Sequence, residues 1–198
     1  MATTTRADGT APARLRSRPL LAAATGAGAA CYGAAISWIP SPDDPRVFWV
    51  SNLFAPWLAI AFFAGRLQRS WHWAVAAGTL AEFACLIAFY ARQFGSGLSV
   101  AGWLHYIFRG SPPWGLIALP VGVVYGLLGS RYAGTRSVAA GACLSLALVA
   151  EPWAWPVYEG FRRGPLVLWI VETAVGVLAT GWLFLARRRS ASPGGPRG

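Results

Sequence analysis

The chain has 198 residues, 56% of them apolar and only 12% charged, and it carries a net charge of +10. Soluble domains hold about 25% charged residues, and here most long segments are apolar all round, with no polar face to turn to water. A soluble enzyme on a Rossmann or barrel scaffold is therefore excluded, disorder is confined to the two ends, and the expected fold class is an all-α integral membrane protein.

In chain order, residues 1–18 are polar, Ala/Thr-rich and basic, and read as a disordered cytoplasmic N-terminus. An apolar run from Pro19 to Ile39 follows. Basic residues before an apolar run also suit a signal peptide, but this run exceeds a usual signal-peptide core and matches a bilayer crossing, which favours a retained helix. Further spans are expected at about 47–65, 71–90, 113–130, 137–155 and 165–186. They make a domain of six transmembrane helices over 19–187, followed by a disordered cytoplasmic tail over 188–198. The apolar stretch Leu98–Phe108 is too short to cross, and Pro112-Pro113 ends it. It reads as a short interfacial helix at about 98–108, either a connector or a re-entrant lid, with Trp103, His105, Tyr106 and Arg109 suited to the outer headgroup level.

Every one of the 17 basic residues is an arginine. Cytoplasmic loops retain Arg during insertion. Placing the N-terminus inside puts twelve arginines on cytoplasmic segments, against five outside: Arg46, Arg92, Arg109, Arg162 and Arg163. Both termini are then cytoplasmic in a multi-pass protein of the cell membrane. Because the arginines cluster between spans and form no polar stripe, the expected partner is the lipid bilayer and not nucleic acid.

Small residues at Ala29-x-x-x-Gly33 and at Gly122-x-x-x-Gly126 followed by Gly129 let helix backbones approach. They read either as packing seams or as a homodimer face through Gly122 and Gly126. Pro56-Trp57 with Val75–Gly78 lines up with Pro113-Trp114 and Val138–Gly141, a weak parallel repeat of a two-helix unit. Cys31, Cys85 and Cys143 lie in apolar stretches without CxxC spacing and read as small core residues.

The strongest functional signal is three carboxyls inside spans: Glu82, Glu151 and Glu172. A lipid-exposed charge there costs several kcal/mol, so such groups face the bundle interior, pair, or keep a proton. Counting from the outer span ends at 1.5 Å per residue gives depths of roughly 12 Å for Glu82, 10 Å for Glu172 and 6 Å for Glu151. Asn52 falls in the same layer. One outward-opening pocket is expected, with Glu82, Glu151 and Glu172 as candidate acids, at least one of them protonated near neutral pH.

Rings crowd the same half of the molecule. Most of these tryptophans and tyrosines fit an ordinary interfacial belt, but Trp169 with Glu172 and Glu151 with Trp155 share helix faces at i, i+3 and i, i+4. Asn52, Trp57, Trp155, Trp169 and Tyr90 are the candidate substrate contacts. Pro152 and Pro156 are expected to break or kink the fifth span just past Glu151. His72 and His105 make no metal site, no cofactor is implied, and no GxxxxGK[ST], GxSxG, HExxH or CxxC motif is present.

At Ser51–Trp57, Ala64–Leu67, Gly122–Gly129, Glu151 and Glu172 the chain resembles small polytopic membrane proteins of actinobacteria, a family of unknown function that implies no residue roles. By architecture alone it is also similar to membrane-bound terpenoid cyclases, which bury carboxylic acids in an aromatic-rich helical bundle. That analogy implies acid-initiated cyclisation of a lipophilic small molecule, an isoprenoid. The alternatives are a proton-coupled transporter or substrate-capture subunit, and a membrane protein without chemistry.

Overall fold

The computed structural model describes residues 11–38, 53–94, 97, 99–110, 113–159 and 166–191. Among the described residues there are seven α-helices and no strand: α1 (Ala11–Ile36), α2 (Phe54–Arg66), α3 (Trp71–Phe94), α4 (Val100–Arg109), α5 (Trp114–Thr135), α6 (Val138–Glu159) and α7 (Leu166–Ala191). Four of them contain stretches long and apolar enough to cross a membrane, Pro19–Ile36, Trp71–Arg92, Trp114–Thr135 and Val167–Arg188, while Phe54–Arg66 and Val138–Ala154 are shorter apolar helices.

Several boundaries differ from expectation. The first helix begins at Ala11 instead of Pro19, since Ala, Arg and Leu favour helix and Pro12 sits in the first turn, where its missing N–H costs nothing. The last helix runs on through its arginines to Ala191, where cations meet the negative end of the helix dipole. The second helix starts only at Phe54, so its 13 residues span about 20 Å, less than the hydrocarbon thickness of about 30 Å. The break expected at Pro152 is corrected: α6 continues through Pro152 and Pro156 to Glu159. Each proline removes one backbone hydrogen bond, a loss tolerated in a helix supported by neighbours, here α7, α5 and α2.

Close backbone contacts set the packing. Gly33 of α1 lies against the Cys85 backbone of α3, and Gly26 against Leu80, so these helices run parallel. Antiparallel to α3, α5 presses Gly122 on Thr79 and Gly126 on Ala74. It meets α2 where a Cβ on Gly129 would lie 1.9 Å from the Phe62 carbonyl oxygen. Gly122 and Gly126 thus form a packing seam within the chain. An α6–α7 hairpin completes the bundle, with Gly176 against the Ser145 carbonyl and Thr180 Oγ1 2.8 Å from Ser145 Oγ. Of the cysteines, Cys85 is buried while Cys31 and Cys143 are exposed, because each faces outward from its helix.

This up-and-down order gathers Arg14, Arg16, Arg18, Arg66, Arg69, Arg131, Arg136, Arg187, Arg188 and Arg189 toward one end of the bundle. Among the described residues the opposite end holds only Arg92 and Arg109. The short helix expected near 98–108 is α4, at that second end. The Ser99 side chain caps it by accepting the Gly102 N–H at 3.2 Å, and Ile107 is buried while Leu104 and Tyr106 are exposed. Polarity is inverted relative to a soluble fold: Glu82, Glu151 and Glu172 are buried while Val167, Leu178 and Trp182 face outward. Such an exterior suits lipid.

Candidate functional site

Near the arginine-poor end, α2, α3 and α5 flank a cavity that is partly open to the surroundings. Its wall is apolar and aromatic, with Phe54 and Trp57 from α2, Leu86, Phe89 and Tyr90 from α3, and Trp114 and Ala118 from α5. The rings brace one another edge-on or tilted: Trp57 on Phe89 at 5.8 Å, Phe89 on Tyr90 at 5.2 Å, and Phe54 on Trp114 at 5.6 Å between centroids. These are favourable aromatic geometries and keep the wall stiff.

Glu82 is the one carboxyl among the described lining residues. It is only 2% exposed, and its Oε1 has no hydrogen-bond partner among the described residues. Helix α3 presents it because Glu82, Leu86, Phe89 and Tyr90 recur at helical spacing on one face. None of the three buried glutamates forms an ion pair with an arginine among the described residues.

Glu151 and Glu172 lie at the level of the α2 N-terminus but are not among the cavity's described lining residues. Glu151 reaches from α6 to α2, where Oε2 accepts the Ala55 N–H at 2.8 Å and Oε1 accepts the Phe54 N–H. These belong to the four N–H groups that the first turn of a helix leaves without internal partners. The α6–α7 register, with Gly176 on Ser145 and Val149, brings Glu172 level with Glu151; Glu172 is 6% exposed and among the described residues is reached by no N–H or hydroxyl donor at either oxygen. Tyr32 of α1 is within electrostatic range of Glu151.

Of the expected substrate contacts, Trp57 and Tyr90 are in the cavity wall. Trp169 is half-buried on α7, one turn before Glu172, and is not in that wall. Asn52 lies outside the described residues, and Trp155 is described only as backbone within α6. The expected single pocket is thus resolved into a cavity holding Glu82 and a neighbouring pair, Glu151 with Glu172. Sequence reasoning passed over Leu86, Phe89 and Ala118, although the apolar stripe continuing from Glu82 along α3 was a signal for the first two. It also missed Gln68, which is 2% exposed and whose carbonyl lies 3.4 Å from Ser130 Oγ. His72 stacks on Trp71, and no group of three His, Cys, Asp or Glu side chains among the described residues could hold a metal ion.

No protein-family model, curated protein or solved structure matches this chain.

Proposed function

We propose that the chain is a six-span, multi-pass protein of the cell membrane with both termini cytoplasmic, and that its cavity binds a lipophilic isoprenoid and starts its cyclisation by proton transfer from Glu82. The observation that carries this reading is an unpaired carboxyl oxygen in an otherwise apolar, ring-lined cavity. An ionised carboxylate without a cation there would cost several kcal/mol, so Glu82 keeps its proton and is available as a general acid. It protonates a terminal alkene carbon or an epoxide oxygen of the substrate. The resulting tertiary cation is attacked by an internal alkene, closing a ring, and the last cation returns a proton to the Glu82 carboxylate. Protons and electrons balance without a cofactor. The faces of Trp57, Tyr90 and Trp114 stabilise the cation, and the apolar wall keeps water from trapping it.

The two-ended arginine distribution supports cytoplasmic termini, and in this proposal the two shorter apolar helices are taken as the remaining spans, beyond the four long enough to cross by themselves. Proton-coupled transport or substrate capture is the second reading, favoured by the buried Glu151–Glu172 pair, since intramembrane carboxyls also mark proton pathways.

The test offers purified protein farnesylated and geranylgeranylated substrates, with and without a terminal epoxide, and follows products by mass spectrometry and NMR. Cyclised product that disappears in Glu82→Gln, with helical content unchanged, supports the acid. No turnover by the wild type, together with glutamate-dependent uptake into liposomes, overturns it in favour of transport.

A further inference from the structure

We propose that Glu172 holds a proton and donates it to the Glu151 carboxylate, making the pair a one-proton clamp that fastens the α6–α7 hairpin to the N-terminus of α2. This site is separate from the cavity and does not depend on the cyclisation reading.

Both oxygens of Glu151 accept backbone N–H groups, from Phe54 and Ala55. It is therefore used as an acceptor at both oxygens. Glu172 is in the opposite position: it is 6% exposed, and among the described residues no N–H or hydroxyl donor reaches either of its oxygens. With Gly176 of α7 seated on Ser145 and Val149 of α6, the antiparallel hairpin brings Glu172, one turn earlier on α7, level with Glu151.

Three states can be compared. Two carboxylates side by side, with no arginine among the described residues paired to either, repel each other in a site shielded from water. Two neutral acids would leave the α2 amides with a weaker acceptor. One proton, carried by Glu172 and directed at Glu151, gives Glu172 a partner and leaves Glu151 charged for α2. Among the described residues the surroundings offer no competing cation. From α1 comes the neutral phenol of Tyr32, α2 presents backbone, and Tyr125 of α5 lies toward Cys143 instead. Since α7 packs chiefly on α6, while α6 reaches α2 at Glu151, the clamp lies where the hairpin joins the rest of the bundle.

The test compares purified full-length variants in detergent micelles. In Glu172→Gln the carboxamide N–H replaces the acid O–H, so its thermal midpoint should stay within about 2 °C of the wild type, whereas Glu172→Ala should fall by about 5 °C or more. Glu151→Gln turns an NH2 toward the α2 amides and should also fall by about 5 °C or more. Infrared spectroscopy gives a second readout. In the Glu82→Gln background the carbonyl stretch of a protonated carboxylic acid should persist, and adding Glu172→Gln should remove it. Glu172→Gln melting as low as Glu172→Ala, Glu151→Gln melting as high as Glu172→Gln, or no acid band in the Glu82→Gln protein would each overturn the clamp.

Discussion

Glu151 accepts the backbone N–H of Ala55 at 2.8 Å although the two residues stand 96 positions apart. The work normally done by a local N-cap side chain is here done by a distant helix, for Leu53 at the cap position makes no side-chain hydrogen bond. Because its oxygens meet the N–H groups of both Phe54 and Ala55, Glu151→Ala removes the acceptor of the buried Ala55 N–H and of the half-buried Phe54 N–H and should destabilise by about 1–3 kcal/mol. Hydrogen exchange should quicken at the Phe54 and Ala55 amides ahead of those in the middle of α5. Uniform acceleration, or none, would count against the capping role.

The glycine seams make a sharper contrast. A Cβ would sit 2.1 Å from the Cys85 carbonyl at Gly33 and 1.9 Å from that of Phe62 at Gly129, but would meet nothing within 4 Å at Gly28. Gly33→Val and Gly129→Val force helix backbones apart and should cost about 3 kcal/mol or more. Gly28→Ala removes backbone freedom from a helix interior without a clash and should stabilise by about 0.5–1 kcal/mol. Thermal melting of the three variants in one detergent orders them. Equal effects would mean that the seams do not set helix spacing.

Much of this architecture was legible in sequence, and what was not shares one physical origin. Long runs without a polar face mark α1, α3, α5 and α7, and the short apolar stretch before Pro112-Pro113 marks α4. The burial of Glu82, Glu151 and Glu172 follows from the cost of charge in an apolar medium. Their partition does not. Whether a carboxyl enters the cavity, as Glu82 does, or reaches a helix end, as Glu151 does, depends on contacts between segments far apart in the chain. By spacing Trp169, at i, i+3 from Glu172, is the stronger candidate of the two, yet packing puts Trp57 and not Trp169 in the cavity wall. The continuation of α6 through Pro152 is likewise tertiary: an isolated helix would be disfavoured there, but one supported by three neighbours holds.

Arg136 closes α5 in the left-handed region, at φ 50° and ψ 33°, with its N–H bonded to the Tyr132 carbonyl. Glycine takes this conformation without the steric cost a Cβ imposes. Arg136→Gly should raise stability by about 0.5–1 kcal/mol, and Arg136→Val should lower it by at least as much. Chemical or thermal unfolding of the pair checks the sign. A loss of stability in Arg136→Gly would mean that the arginine side chain contributes more than its backbone costs.

Orientation gives the last prediction. The α2–α3 turn and the C-terminal ends of α5 and α7 share one end of the bundle with most of the described arginines, whereas Gly97 and α4 lie at the other. If arginine retention sets the topology, the first end faces the cytoplasm. Cys31 and Cys143 are exposed and Cys85 is buried, so replacing the first two by Ala gives a background of low reactivity. Single cysteines at Arg69 and Gly97 then report the two ends, both positions being exposed. A membrane-impermeant maleimide added to intact cells should label Gly97→Cys at once and Arg69→Cys only after permeabilisation. The reverse pattern would invert the protein in the membrane and move the mouth of the Glu82 cavity to the cytoplasmic half. Labelling of both in intact cells would mean that the bundle does not separate its two ends across a bilayer, and the membrane-spanning reading would fall with it.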